Sequence, residues 1–164
     1  GLVMGTRCGS VDASAVTYIG EKEGMTYAEL NEMMNKRSGV LGLTGLSSDM
    51  RDIDRAYDEG NPEAILARDM HYRRIKKFVG EYAAEMGGVD LIVFTGGVGE
   101  NSSEMRESVC EGLEFMGVHF DKAANQGARG VNKMLSTPDS KVKVAMIATN
   151  EELVIATDTY NLVK

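Results

Sequence analysis

The stretch Val89-Asp90-Leu91-Ile92-Val93-Phe94-Thr95-Gly96-Gly97-Val98-Gly99-Glu100-Asn101-Ser102 decides how this sequence folds. The continuous apolar run Leu91-Ile92-Val93-Phe94 reads as an interior strand. It leads through glycines into a helix from about Ser102 to Met116, with Gly117 as its stop. The pattern recurs downstream. Val142, Val144, Met146 and Ile147 mark a second interior strand over Val142 to Thr149, followed by a helix from about Asn150 to Leu162. Two strand-turn-helix units favour an α/β layered architecture over a helix bundle or a β-sandwich.

Upstream lies the strongest helix signal. Asn61 suits a cap, Pro62 the first helical position and Gly87-Gly88 a left-handed stop. Between them Ile65, Leu66, Met70, Ile75, Phe78, Val79, Tyr82 and Met86 recur at three- to five-residue steps, a broad apolar face for which a sheet is the natural partner. The first clear helix starts at Thr26, where Thr26 and Glu29 form a capping box, and ends near Ser38-Gly39.

No repeat, low-complexity tract or Pro-rich linker interrupts the chain, so a single compact unit is expected. With 164 residues and 43% hydrophobic content it can bury a sizeable core. A net charge of −7 argues against a nucleic-acid or anionic-membrane partner, although a local basic pocket for a nucleotide is compatible with it. There is no apolar run of spanning length and no signal-peptide pattern, and a cytoplasmic setting is expected. The two cysteines, Cys8 and Cys110, match neither a zinc pattern nor a disulfide framework.

Four clusters carry possible chemistry. In Gly96-Gly97-Val98-Gly99-Glu100-Asn101, glycines between strand and helix let backbone N–H groups approach an anion, or simply make a tight connection. The absence of Gly-Lys-Ser/Thr excludes a P-loop, and Ser102 stands where a dinucleotide fingerprint needs its third glycine. Asn101 and Glu104 also suit a helix cap and first-turn pair. The second cluster, Ser47-Ser48-Asp49-Met50-Arg51-Asp52, follows the glycine-spaced Gly39 to Leu46, which as a loop would lie flat against a planar ligand. It reads equally as a cap with surface charge pairs. The third, Gly5-Thr6-Arg7-Cys8-Gly9, offers a guanidinium for phosphate or carboxylate oxygens, or a surface arginine. The fourth, Thr149-Asn150-Glu151-Glu152, ends a strand where α/β proteins place ligand groups, though its carboxylates also favour a helix N-terminus. His71 is read as a helix-surface residue and His119 as an edge or loop residue, neither at metal-ligand spacing.

Taken in order, Gly5-Thr6-Arg7, Ser38-Gly39-Val40-Leu41-Gly42 with Ser47 to Asp52, Gly97-Val98-Gly99-Glu100-Asn101 and Thr149-Asn150-Glu151-Glu152-Leu153 resemble the second half of acetate kinases, in the actin, sugar kinase and Hsp70 superfamily. The resemblance covers essentially the whole chain. It implies a ribonuclease H-like α/β lobe, residues 1–164 being a carboxy-terminal nucleotide-binding lobe that lacks its opening strands. It implies reversible phosphoryl transfer between ATP and acetate, with ATP/ADP and Mg²⁺ as cofactors and a homodimer as the assembly. Arg7 is similar to the family's catalytic arginine, Asp49, Met50 and Arg51 to its adenosine contacts, Gly97, Val98, Gly99, Glu100 and Asn101 to the loop under the nucleotide, and Glu151 to the residue associated with magnesium.

The chain departs from the family pattern at Gly9-Ser10-Val11-Asp12-Ala13, where members commonly read Gly-Asp-Ile-Asp-Pro, and at Ala148, where a proline often stands. Propionate kinases share the motifs, so propionate is the alternative substrate. A non-catalytic dimerisation module is the alternative role. The resemblance also places an Asn, a second substrate arginine, an acidic catalytic residue and a histidine upstream of Gly1, so the chain alone is not expected to catalyse transfer.

Overall fold

A computed structural model describes residues 1–164. Where the sequence suggested one compact unit, the chain forms two, Gly1–Phe78 and Val79–Lys164.

The first unit is helical: α1 (Ala13–Glu23), α2 (Tyr27–Lys36), α3 (Gly39–Thr44), α4 (Met50–Asp58) and most of α5 (Pro62–Glu85). Local chemistry sets the boundaries. The Asp12 carboxylate accepts the Ser14 N–H to start α1, and Gly24 ends it in the left-handed conformation. The capping box of Thr26 and Glu29 is formed in full. For α5, the Asn61 side chain accepts the Ala64 N–H at 2.9 Å, Pro62 takes the first helical position, and Gly87 and Gly88 close the far end at positive φ.

Three expectations change here. Helix α1 was not anticipated, because its polar-interrupted sequence lacks a clear apolar stripe. Residues Gly39–Thr44 are a helix, not a flat loop. The core of this unit consists of Val40, Ile53, Ala64 and Ala67, with Leu43, Met50, Ala56 and Tyr57 around it. Helix α5 therefore packs on α3 and α4 through its alanines, which allow close approach, while its larger Leu66 and Tyr82, and Met86 just beyond its end, are exposed.

The second unit contains β1 (Leu91–Phe94), α6 (Gly96–Asn101), α7 (Ser103–Cys110), a 3-10 turn at Glu114–Met116, α8 (Lys122–Asn125), β2 (Lys133–Met134), β3 (Lys143–Met146) and α9 (Glu151–Val163). The sheet order is β1-β3-β2, with β1 parallel and β2 antiparallel to β3. Phe94 lies opposite Met146, so β1 and β3 end together. Val144, Ala145 and Met146 are buried, as an interior strand requires. Strand β1 differs from expectation: it pairs on one side only, and Leu91 and Val93 are exposed while Ile92 and Phe94 are buried. The expected helix from Ser102 to Met116 is broken at Gly112, which takes φ +75°. Its cap is the Ser102 hydroxyl, which accepts the Met105 N–H at 3.1 Å, rather than Asn101. Gly117 ends the 3-10 turn at φ +91°. No helix is long and apolar enough to cross a membrane.

Candidate functional site

Because β1 and β3 are adjacent and parallel, their carboxyl ends deliver Thr95-Gly96 and Ala148-Thr149 side by side, the place where open α/β sheets bind ligands. The Thr95 and Thr149 hydroxyls hydrogen-bond to each other at 2.8 Å. The Gly96 N–H donates to the Glu100 carboxylate at 2.9 Å and to the Thr149 hydroxyl at 3.0 Å. The Thr149 N–H donates to the same Glu100 oxygen at 2.8 Å. Together with Thr149, these donors hold the Glu100 carboxyl below the usual range, the Thr149 N–H being the largest cause. Beside this knot is a cavity of about 490 Å³, lined by Gly96, Gly97, Glu100, Thr149, Asn150, Glu151 and Glu152. The structure thus brings Gly97, Glu100 and Glu151, from two separate motifs, to one place.

The rest of the glycine segment is helical and pinned from inside. Gly99 is buried against Phe94, and its carbonyl accepts from Arg106 Nη1 at 2.8 Å. The fully buried Arg106 also donates from Nε to the Asn125 side chain at 2.8 Å and from Nη2 to the Ala128 carbonyl at 2.7 Å. The exposed Asn101 side chain donates back along its own helix to the Gly97 carbonyl at 2.8 Å, and Val98 is partly exposed. Sequence reasoning missed Arg106. An arginine beside acidic residues in a helix reads as surface, and nothing local marks its burial.

Glu151 is exposed in the first turn of α9, which Asn150 caps by accepting the Leu153 N–H at 3.1 Å. No three His, Cys, Asp or Glu side chains converge on a metal-sized site. The residues therefore fit a hard cation held by one carboxylate, with phosphate oxygens and waters completing its shell, and do not fit a cage of protein ligands.

The remaining predicted residues belong to the first unit. Arg7 is exposed, makes no ion pair, and lines a cavity of about 330 Å³ with Met4, Cys8, Met34 and Asn35. Its loop lies across the start of α3: the Met4, Gly5 and Thr6 carbonyls accept the N–H groups of Val40, Leu41 and Ser38 at 3.0, 2.8 and 3.0 Å. These bonds satisfy donors that a helix start leaves unpaired. Gly39 makes the approach possible, for at its φ of +64° a Cβ would fall 2.2 Å from the Met4 carbonyl oxygen.

His71, expected on the helix surface, is buried. Its Nδ1–H donates to the Val3 carbonyl at 3.0 Å, Nε2 has no partner, and burial pushes its pKa down. Asp49 caps α4, accepting the Arg51 N–H at 2.9 Å, and grips the Arg51 guanidinium. These bonds lower its pKa to about 2. Met50 is partly buried and packs against the helical core, and Arg51 is largely exposed.

The second unit has the mixed α/β architecture of the actin, sugar kinase and Hsp70 superfamily, as the matching crystal structures bear out. The chain superimposes on Porphyromonas gingivalis acetate kinase with a TM-score of 0.96 at 52% identity, covering 100% of this chain and 41% of that one. A propionate kinase from Francisella tularensis matches with a TM-score of 0.85 at 37% identity, over 95% of this chain and 39% of that one. In sequence, the acetate kinase of Bacteroides thetaiotaomicron is 56% identical over the whole chain, which spans 41% of its length. Residues 1–157 match the model of the acetokinase family, and the chain belongs to that family. It spans about two fifths of the length of these relatives.

Proposed function

We propose that the chain supplies the nucleotide-side contacts of an acetate kinase, in which the γ-phosphoryl group of ATP passes reversibly to acetate, giving acetyl phosphate and ADP. The observation that carries this reading is the cavity at the ends of β1 and β3, where Gly97, Glu100 and Glu151 meet. Phosphoryl transfer needs positioning and charge neutralisation more than covalent help from the protein. Arg7, exposed and without a carboxylate partner, is the group for charge on the substrate carboxylate or the transferring phosphoryl. The segment from Gly97 to Asn101 lies under the nucleotide, and Asp49, Met50 and Arg51 form its adenosine side, Met50 being partly buried against the helical core. Glu151 would hold Mg²⁺, which when bound offsets phosphate charge. Propionate is the alternative acceptor acid. The reading carries a cytoplasmic setting, with which two cysteines, Cys8 and Cys110, that are not joined in a disulfide agree.

The test is a thermal shift of the chain with Mg-ADP. A ligand that binds only the folded state at about 100 times its Kd stabilises by roughly 2.7 kcal/mol. A magnesium-dependent rise that Glu151→Ala abolishes supports the reading; an unchanged melting temperature in a folded sample opposes it.

A second reading, association with another copy of the chain, is favoured by α9, whose Leu153, Val154, Ile155, Leu162 and Val163 are all exposed. Sedimentation equilibrium tests it. A monomer at high concentration removes it.

A further inference from the structure

The Glu100 carboxylate lines a pocket proposed for an anionic ligand, where a free negative charge would repel phosphate. Its charge is instead committed to backbone. One oxygen accepts the Gly96 N–H, four residues back on its own helix, and the Thr149 N–H, 49 residues away in the turn between β3 and α9. The first of these bonds is local. The second ties together two turns that only the sheet brings side by side.

Each bond reaches one flank of the cavity. Gly96 precedes Gly97, the first residue of the proposed nucleotide segment. Thr149 precedes the α9 cap Asn150 and stands two residues before Glu151. Any shift of the Thr149 backbone therefore alters how α9 begins and where Glu151 projects. Hydrogen bonds to an ionised acceptor are roughly twice as strong as neutral ones. The Thr149 hydroxyl adds weaker ties to Gly96 N–H and to Thr95 in the same place.

We propose that Glu100 is a positioning residue that couples the nucleotide segment to the magnesium carboxylate: by holding Gly96 and Thr149 on one oxygen it keeps Gly97 and Glu151 in register, so that metal and nucleotide reinforce each other's binding. This rests on the functional reading above. It reassigns Glu100 from a nucleotide contact to a brace behind the contacts.

The test compares the wild-type chain with Glu100→Ala and Glu100→Gln, first confirming folding by circular dichroism. ADP affinity is measured by calorimetry with and without Mg²⁺, and exchange of the Gly96 and Thr149 amides is followed by NMR without ligand. In the wild type Mg²⁺ strengthens ADP binding by about tenfold or more, within the ordinary range of coupling between sites. In Glu100→Ala that ratio is expected to fall to about twofold or less, a loss of most of the coupling, and both amides lose protection. Glu100→Gln, which keeps an acceptor oxygen, is intermediate. A general loosening would lower both affinities and leave their ratio intact. An unchanged ratio in Glu100→Ala overturns the proposal. If the wild type binds no Mg-ADP, the nucleotide reading fails, and the brace is decided by exchange alone: retained protection of both amides in Glu100→Ala overturns it.

Discussion

Arg106 Nη1 donates to the Gly99 carbonyl at 2.8 Å, so a fully buried cation fixes the middle of the glycine segment from inside the second unit. All three of its hydrogen-bonded acceptors are neutral oxygens, and removing the guanidinium orphans every one. A buried unpaired acceptor costs about 1–3 kcal/mol. Arg106→Met is therefore expected to destabilise by about 3 kcal/mol or more, read from urea unfolding. Arg106→Lys recovers only part, because a point ammonium does not match a planar fork.

Gly39 holds the Arg7 loop by having no side chain. At its φ of +64° an added Cβ overlaps the Met4 and Arg7 carbonyl oxygens, whereas at Gly24, φ +63°, it meets nothing. The pair separates backbone strain from collision. Gly24→Ala should cost about 1–2 kcal/mol, the price of the left-handed conformation. Gly39→Ala should cost clearly more than about 2 kcal/mol and displace the Arg7 amide resonance. Equal effects in chemical denaturation would refute the collision.

His71 makes the first unit sensitive to mild acid. Burial depresses its pKa, so the unfolded chain, where histidine titrates near about 6.5, takes up a proton before the native state does. Stability is full above that pH and declines as pH falls below it towards the depressed folded value. The expected result is a lower melting temperature at pH 5.5 than at pH 7.5, with a shallower decline in His71→Asn, whose amide can still donate to Val3. Parallel slopes for the two proteins would count against it.

Asp49 acts in a more acidic window. Its carboxyl is lowered from 3.8 to about 2 by its bonds to Arg51, so its contribution to stability is present above about pH 3.8 and lost as pH falls through about 2. Carbon-13 NMR of the Asp49 carboxyl should report a midpoint near 2. In Arg51→Ala the midpoint should move back towards 3.8, and failure to move would show that Arg51 is not the cause.

Much of this protein was legible because the signals are local. The capping box of Thr26 and Glu29, the Asn61-Pro62 start and Gly87-Gly88 stop of α5, and the turns after β1 and β3 depend on residues within a few positions of one another. The motifs ending in Asn101 and beginning at Thr149 stood out for the same reason. Even so, local reading misjudged β1 as interior, because an apolar run does not say how many strands flank it, and it took Gly39 to Thr44 for a loop.

By itself, then, the sequence determined where α2, α5, α7 and α9 begin, where β1 and β3 run, and the α/β character of the second unit, and it marked the motifs that are candidates for chemistry, since capping, turn geometry and apolar runs act over one or two helical turns. Only the tertiary structure decided that Glu100 braces Thr149, that Arg106 is buried under Gly99, that His71 holds Val3 and that Gly39 lies beneath Arg7. Those contacts join residues 7 to 68 positions apart, and their partners are chosen by the packing of elements, which no local spacing encodes.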